Sequence, residues 1–257
     1  MTRTAIIAGQ GRLALILAHR MPDAPVFALE GFAPEMKAGS FRLERLIPFL
    51  DHLAEIGVTR VLFAGAVQRP KLDPEAFDPA TAQLVPRMLT AIRSGDDAAL
   101  RALLDIFEES GLGVVGVQDV APDLIPAMGV LCGEPDAQHK TDAARASEIL
   151  ESTGPLDIGQ GVVVARGLCL ALETLPGTEA MLDFVARHGS GGGVFYKAPK
   201  AGQDRRVDLP TIGPDTIDQA VAARLAGIAW QAGGVILLDR DETIRRAEAA
   251  GLFLWAR

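Results

Sequence analysis

The stretch Thr4-Ala5-Ile6-Ile7-Ala8-Gly9-Gln10-Gly11-Arg12-Leu13-Ala14 decides the fold class. Residues 4–8 are a compact apolar run closed by Gly9-Gln10-Gly11, and residues 12–20 then carry apolar side chains at helical spacing. A short apolar run bounded by glycines reads as a buried strand, and the change of period behind it reads as a helix. Working outward, residues 25–30 form a second strand signal. Arg42 to Ile56 places apolar residues at 43, 46, 47, 50, 53 and 54, an amphipathic helix stopped by Gly57. Residues 58–64 give a third strand, closed by Gly65. Strand, helix, strand in this order predicts a Rossmann-like parallel sheet covered by helices. With Arg3 as its only basic residue and a very short apolar segment, the start does not read as a secretory signal.

The same reading continues down the chain. Residues 96–110 form an amphipathic helix with Asp96 near its start and Gly111 after its end, followed by a strand at 112–117. Gly133 to Lys140 is polar, contains Pro135 and reads as a linker into a helix at 141–152. Two apolar runs, 161–165 and 168–172, flank Arg166-Gly167 as a hairpin. Helix signals recur at 177–187, 214–226 and 241–250, and strand signals at 193–197, 234–238 and 251–255. The expectation is an N-terminal α/β nucleotide-binding-like domain over 1–133, a linker and helix over 134–152, and a mixed α/β domain over 153–257.

Composition narrows the function classes. Of 257 residues, 49% are hydrophobic, which excludes wholesale disorder. Lys and Arg number 25 against 33 Asp and Glu, giving a net charge of −8 and no global attraction for nucleic-acid phosphate. No apolar run is long enough to span a bilayer. Cys132 and Cys169 both lie in apolar runs and read as buried thiols, in keeping with a reducing cytoplasm. His19, His52, His139 and His188 have no zinc spacing, and the glycines at 189–193 lack the Gly-Lys-Ser/Thr of a P-loop.

Four constellations can carry chemistry. Gly9-x-Gly11-x-x-Ala14 follows a strand and precedes a helix, with Glu30 near the end of the second strand, as in a dinucleotide site. A generic phosphate contact, or a tight turn that binds nothing, fits the same residues. Arg69, just past the third strand, can pair with a phosphate or simply precede the turn at Pro70. Asp96-Asp97 can hold Mg²⁺ or cap a helix. The richest stretch runs from Tyr196 to Gly213, with Lys197, Lys200, Arg205, Arg206, Asp204 and Asp208 between strand and helix signals. Cations there suit phosphate oxygens, and the acids suit a divalent ion or an attacking water. If 206–208 is extended, Arg206 and Asp208 project to the same side.

Together these segments resemble one family, the LpxI-type UDP-2,3-diacylglucosamine pyrophosphatases of lipid A biosynthesis. The matching pieces are Phe63 to Pro70, Gly95 to Arg101 with Phe107-Glu108, Leu156-Asp157-Ile158-Gly159-Gln160, Ala171 to Leu182, and Lys197 to Gly213. The most specific is Gln203-x-x-Arg206-Val207-Asp208-Leu209-Pro210-Thr211-Ile212-Gly213. The resemblance implies a cytoplasmic hydrolase, at most transiently at the inner-membrane surface. Such an enzyme cleaves the diphosphate of its lipid-linked nucleotide sugar with Mg²⁺, releasing UMP and 2,3-diacylglucosamine 1-phosphate. It places the essential aspartate on Asp208, with Asp204 second; the expected metal ligands are Asp208 and, from the adjacent carboxylates at 96–97, Asp97. Substrate contacts are expected from Gly9, Gln10, Gly65, Ala66, Val67, Arg69, Gln160, Thr178, Lys197, Lys200, Gln203 and Arg206. Gly9, Gln10 and Gly65 would act through backbone N–H groups. The chain departs from the family at Pro176-Gly177-Thr178-Glu179, where Glu-Gly-Thr-Asp is usual. A homodimer, a nicotinamide oxidoreductase built on Gly9 to Ala14 and Glu30, and a non-catalytic nucleotide-sugar binder stay open.

Overall fold

Thr4–Ala8 is buried throughout and forms β1, the central strand of the first sheet. The structure, a computed structural model, describes every residue except Met1, Gln68, Arg69 and Ser94 and the side chains of Asp96 and Asp97. After β1 come α1 (Arg12–Arg20), β2 (Val26–Leu29), β3 (Gly39–Phe41), α2 (Leu46–Glu55) and β4 (Arg60–Ala64). They are followed by α3 (Pro79–Ala82), α4 (Val85–Arg93), α5 (Asp96–Glu109), β5 (Gly113–Val115) and α6 (Val117–Val120). The strands are all parallel, in the order β3-β2-β1-β4-β5. This is the doubly wound order, with its switch point between β1 and β4. Helix α2 buries Leu46, Phe49, Leu50 and Leu53, and the Phe49 ring stacks on Phe41 at 4.1 Å. The expected helix over 42–56 begins as a 3₁₀ turn at Leu43–Arg45. Pro48 has no N–H to return to Glu44, and the Glu44 carbonyl accepts from Asp78 N at 3.2 Å instead.

The chain divides into Met1–Ala121 and Pro122–Arg257. The boundary therefore lies before 133; the helix expected at 141–152 is present, but the residues ahead of it are no linker. β6 (Gly129–Cys132) joins the second sheet, and α7 (Ala137–Thr153) buries Ala143, Ala146 and Leu150 against that sheet's Val162, Val164, Val194 and Tyr196. The polar residues before it are a helix cap: the Asp136 carboxylate accepts from His139 N at 2.8 Å. Caps and linkers draw on the same residue types, so composition alone reads one as the other.

The rest of the second unit is β7 (Gly161–Ala165), β8 (Leu168–Leu172), α8 (Gly177–His188), β9 (Val194–Lys197), β10 (Thr211–Ile212) and α9 (Pro214–Ala222). It ends with β11 (Gly227–Trp230), β12 (Ile236–Leu237), α10 (Arg240–Ala249) and β13 (Phe253–Ala256). The main sheet runs β6-β13-β11-β9-β7-β8, and β10 pairs with β12 apart from it. β9, β11 and β13 are parallel to one another, while β6 and the β7–β8 hairpin are antiparallel to their neighbours. One face packs α8, α9 and α10 through Leu182, Val185, Ile217 and Ala247 against Phe195, Ile228, Trp230 and Leu254. α7 covers the other face.

The hairpin forms where the two apolar runs predict it. Arg166 and Gly167 both adopt left-handed φ, 51° and 78°, as a two-residue hairpin turn requires. The fully buried Asp142 of α7 holds this turn. Its carboxylate accepts from Arg166 N at 2.9 Å, Gly167 N at 2.7 Å and Gln138 Nε2 at 3.0 Å. Cys132 is buried as expected, but Cys169 is exposed, because β8 is the sheet's edge strand and one side of it has no neighbour.

Candidate active site

The C-terminal ends of parallel strands in an open sheet are where ligands bind, and in the second unit β9 ends there in Lys197. It stands in register with Gly161 at the start of β7 and with Trp230 at the end of β11. Lys197 is only 8% exposed. Its Nζ donates to Thr178 Oγ1 at 2.9 Å, in the first turn of α8, and to the Thr211 carbonyl at 3.2 Å, where β10 begins. Thr178 Oγ1 in turn donates to Glu173 Oε2 at 2.9 Å, one residue past β8. Burial pushes the Lys197 ammonium below its usual pKa range, and the charge of Glu173 opposes that shift.

Two missing side chains make room for Glu173. A Cβ on Gly161 would stand 2.5 Å from Glu173 Oε2, and one on Gly159 would stand 2.1 Å from the Glu173 carbonyl oxygen. The Glu173 N–H bonds the Gly161 carbonyl at 2.8 Å. Sequence reasoning missed Glu173 as a site residue. The signal that could have found it is Gly159-x-Gly161 ahead of an apolar strand, a mark of close approach by another segment.

The loop after β9 holds the other expected groups. Lys200 Nζ pairs with the Asp157 carboxylate, a partner also missed in the sequence. Lys200 N donates to Gln203 Oε1 at 3.0 Å, and Gln203 Nε2 donates to the Asp208 carboxylate. Asp204 accepts from Arg206 through Nε at 3.0 Å and Nη2 at 2.7 Å, and from the Arg206 backbone N–H at 3.0 Å. The segment is not extended: the Asp204 carbonyl accepts from Val207 N at 3.1 Å and Asp208 N at 3.0 Å. The alternation that would put Arg206 beside Asp208 does not apply in this turn; Arg206 faces Asp204, and Asp208 faces Gln203. Gln160 ties this loop to the hairpin, its carbonyl accepting from Ala198 N at 3.0 Å.

In the first unit, Gly9, Gln10, Gly65 and Ala66 meet at the switch point. Gln10 and Ala66 form an antiparallel bridge, with N–H to carbonyl distances of 2.8 and 2.9 Å, and Gly9 N donates to the Ala64 carbonyl at 2.8 Å. A Cβ on Gly9 would lie 2.5 Å from Ala66 O, and one on Gly65 would lie 2.6 Å from Gln10 O. These glycines serve the close approach of two chain segments. The N–H groups of Gly9 and Gln10 are spent within the protein, which corrects the expectation that they reach a ligand. Val67 and the Gln10 side chain are exposed. Glu30 stands 3.7 Å from Arg42 Nε. Arg69 and the side chain of Asp97 lie outside the described residues.

Among the described residues no group of three or more His, Cys, Asp or Glu gathers to hold a metal. The acids of the 198–210 loop offer one or two carboxylates. That set suits Mg²⁺, which takes its remaining ligands from water and substrate phosphate oxygens. Between the end of β8 and the first turns of α8 lies an apolar pocket of about 300 Å³, lined by Ala171, Leu172, Pro176, Ala180, Met181 and Phe184. Leu175, on the same turn, is 97% exposed. Among the described residues no helix is long and apolar enough to cross a membrane.

Comparison with known proteins covers both units. The LpxI N-terminal domain model matches residues 3–124, and the LpxI C-terminal domain model matches residues 127–255. The chain is 38% identical over 274 aligned positions to the UDP-2,3-diacylglucosamine pyrophosphatase LpxI of Caulobacter vibrioides, an alignment covering 99% of this chain and 97% of that protein.

Proposed function

The chain belongs to the LpxI family, and from that premise we propose that it hydrolyses the diphosphate of UDP-2,3-diacylglucosamine to UMP and 2,3-diacylglucosamine 1-phosphate. The observation that carries the reading is the near full-length match to a relative of that activity. In this reading water attacks the sugar-side phosphorus, the bond to the bridging oxygen breaks, and UMP leaves.

The second unit has the chemistry for that step. An ammonium has three N–H donors. Thr178 and Thr211 take two of them at Lys197; the third is assigned to a phosphate oxygen, where charge develops in the transition state. Lys200 and Arg206, paired with Asp157 and Asp204, are the further candidates in the same loop for phosphate contact. Asp208, steadied by the Gln203 amide, orients the attacking water and is the residue that would hold Mg²⁺, with Asp204 second. A bound Mg²⁺ would neutralise diphosphate charge. The apolar pocket between β8 and α8 is assigned to an acyl chain. In the first unit, substrate contacts are assigned to the Gln10 side chain, Gly65, Ala66 and Val67 and, from the sequence alone, to Arg69. We place the enzyme in the cytoplasm, visiting the membrane surface for its lipid substrate. The family match weighs against a nicotinamide site, and the close approach to Ala66 accounts for Gly9, one of the two fingerprint glycines.

The test is incubation with UDP-2,3-diacylglucosamine, with Mg²⁺ or with excess chelator, scoring UMP. UMP release that requires Mg²⁺ is expected. No UMP under either condition would refute the activity, and full release in chelator would refute the metal.

A further inference from the structure

We propose that Glu173 is a positioning residue: through the Thr178 hydroxyl it fixes the orientation and charge of Lys197, so that the ammonium's remaining N–H is aimed at the substrate diphosphate. The inference rests on the activity proposed above and adds to it a residue and a mode of action.

Direction is built into the hydrogen bonds. A threonine hydroxyl has a single proton. With that proton given to Glu173 Oε2 at 2.9 Å, its oxygen is left to accept from Lys197 Nζ at 2.9 Å. A carboxylate at one end thus requires a donor at the other; Lys197 is that donor, and the negative charge of Glu173 favours its ammonium form. The Thr211 carbonyl, the other ammonium partner, can only accept and does not titrate. The elements around Lys197 present Gly161 from β7, Trp230 from β11, Thr178 from α8 and Thr211 from β10. Glu173 is the titratable group whose charge acts on it.

The placement of Glu173 is also built in. Gly159 and Gly161 leave the space it fills, and its N–H is tied to the Gly161 carbonyl. The hairpin that carries it is held at its turn by Asp142. A carboxylate merely filling surface would need neither glycine. A buried lysine with no counter-charge would tend to lose its proton and with it the electrostatic value of the site.

The experiment compares wild type with E173Q, T178V and T178S. Three readouts are used: kcat and KM on UDP-2,3-diacylglucosamine across pH, thermal unfolding, and the NMR titration of the Lys197 side-chain carbon next to nitrogen. For folded E173Q, kcat/KM should fall at least about tenfold. The alkaline limb of its pH profile and its Lys197 titration should both move to lower pH, because the charged form has lost its counter-charge. T178V should lose activity to a similar degree, and T178S should restore most of it. An E173Q enzyme with wild-type kcat/KM and an unmoved Lys197 titration overturns the proposal, as does T178S as inactive as T178V. If E173Q does not fold, the T178V and T178S pair decides on the same readouts. Failure of wild type to release UMP refutes the proposed activity alone, since the Lys197 titration still reports whether Glu173 sets its charge.

Discussion

Replacing Asp142 with alanine removes the clamp on the β7–β8 turn, and its cost can be worked from the structure. The carboxylate is fully buried and accepts three hydrogen bonds, two of them from the backbone of the left-handed turn at Arg166 and Gly167. Hydrogen bonds to a charged group are worth roughly 1.5–3 kcal/mol each. Arg166 and Gly167 are exposed, so water can reach their N–H groups once the carboxylate is gone, and the three contributions will not sum in full. We expect a loss of about 2–4 kcal/mol for Asp142→Ala and about half of that for Asp142→Asn, which keeps one acceptor. Gln138→Ala removes only the third bond and should cost under about 1 kcal/mol. Urea unfolding followed by far-UV circular dichroism measures the differences. Because the chain has two units, hydrogen exchange at the β7 and β8 amides assigns the loss to the second. A change under about 1 kcal/mol for Asp142→Ala, with β7–β8 protection intact, would refute the clamp.

Other outcomes follow from the sites described. Asp208→Ala should cut UMP release roughly a thousandfold while substrate still binds, and Asp208→Asn should be nearly as inactive; retention of more than about a tenth of turnover would remove Asp208 from the chemistry. Gly65→Ala places a side chain at φ 103° and 2.6 Å from Gln10 O. It should destabilise the first unit by about 1–3 kcal/mol in denaturant titration, and an unchanged midpoint would mean that the Gln10–Ala66 bridge contributes nothing. Gly161→Ala forces Glu173 aside; kcat/KM should fall with that of the Glu173 variants while circular dichroism remains native, and normal kinetics would show that Glu173 has room to spare.

What the sequence made legible was decided by burial. β1 and β7 are buried on both faces and appear as unbroken apolar runs, and the Arg166-Gly167 pair between β7 and the apolar run of β8 fixed the hairpin. β3 has three residues, of which two are exposed, and β6 is a partly exposed edge strand, so neither leaves a periodic trace. The helix expected to reach 226 stops at Ala222, just before Arg224 takes φ 52°. At the site, charge density between Tyr196 and Gly213 pointed to the loop, but the pairing inside it was hidden. Side-chain alternation holds only for extended backbone, and the Asp204 carbonyl curls this segment into a turn. Glu173 is one acid among many in the sequence, and only the space left by two glycines distinguishes it.

The place of β13 in its sheet bears on how the protein is made. That strand lies between β11 and the antiparallel β6, so the second unit's first strand finds its partner only when residues 253–256 have been synthesised. Every strand of the first unit's sheet lies before Ala121. On the ribosome the N-terminal half can thus reach its native state while the C-terminal half waits with β6 and the edge of β11 unpaired, a period of exposure for chaperones to cover. Ribosome-stalled chains truncated before residue 253 should accordingly hold a protease-resistant N-terminal half and a cleavable C-terminal one.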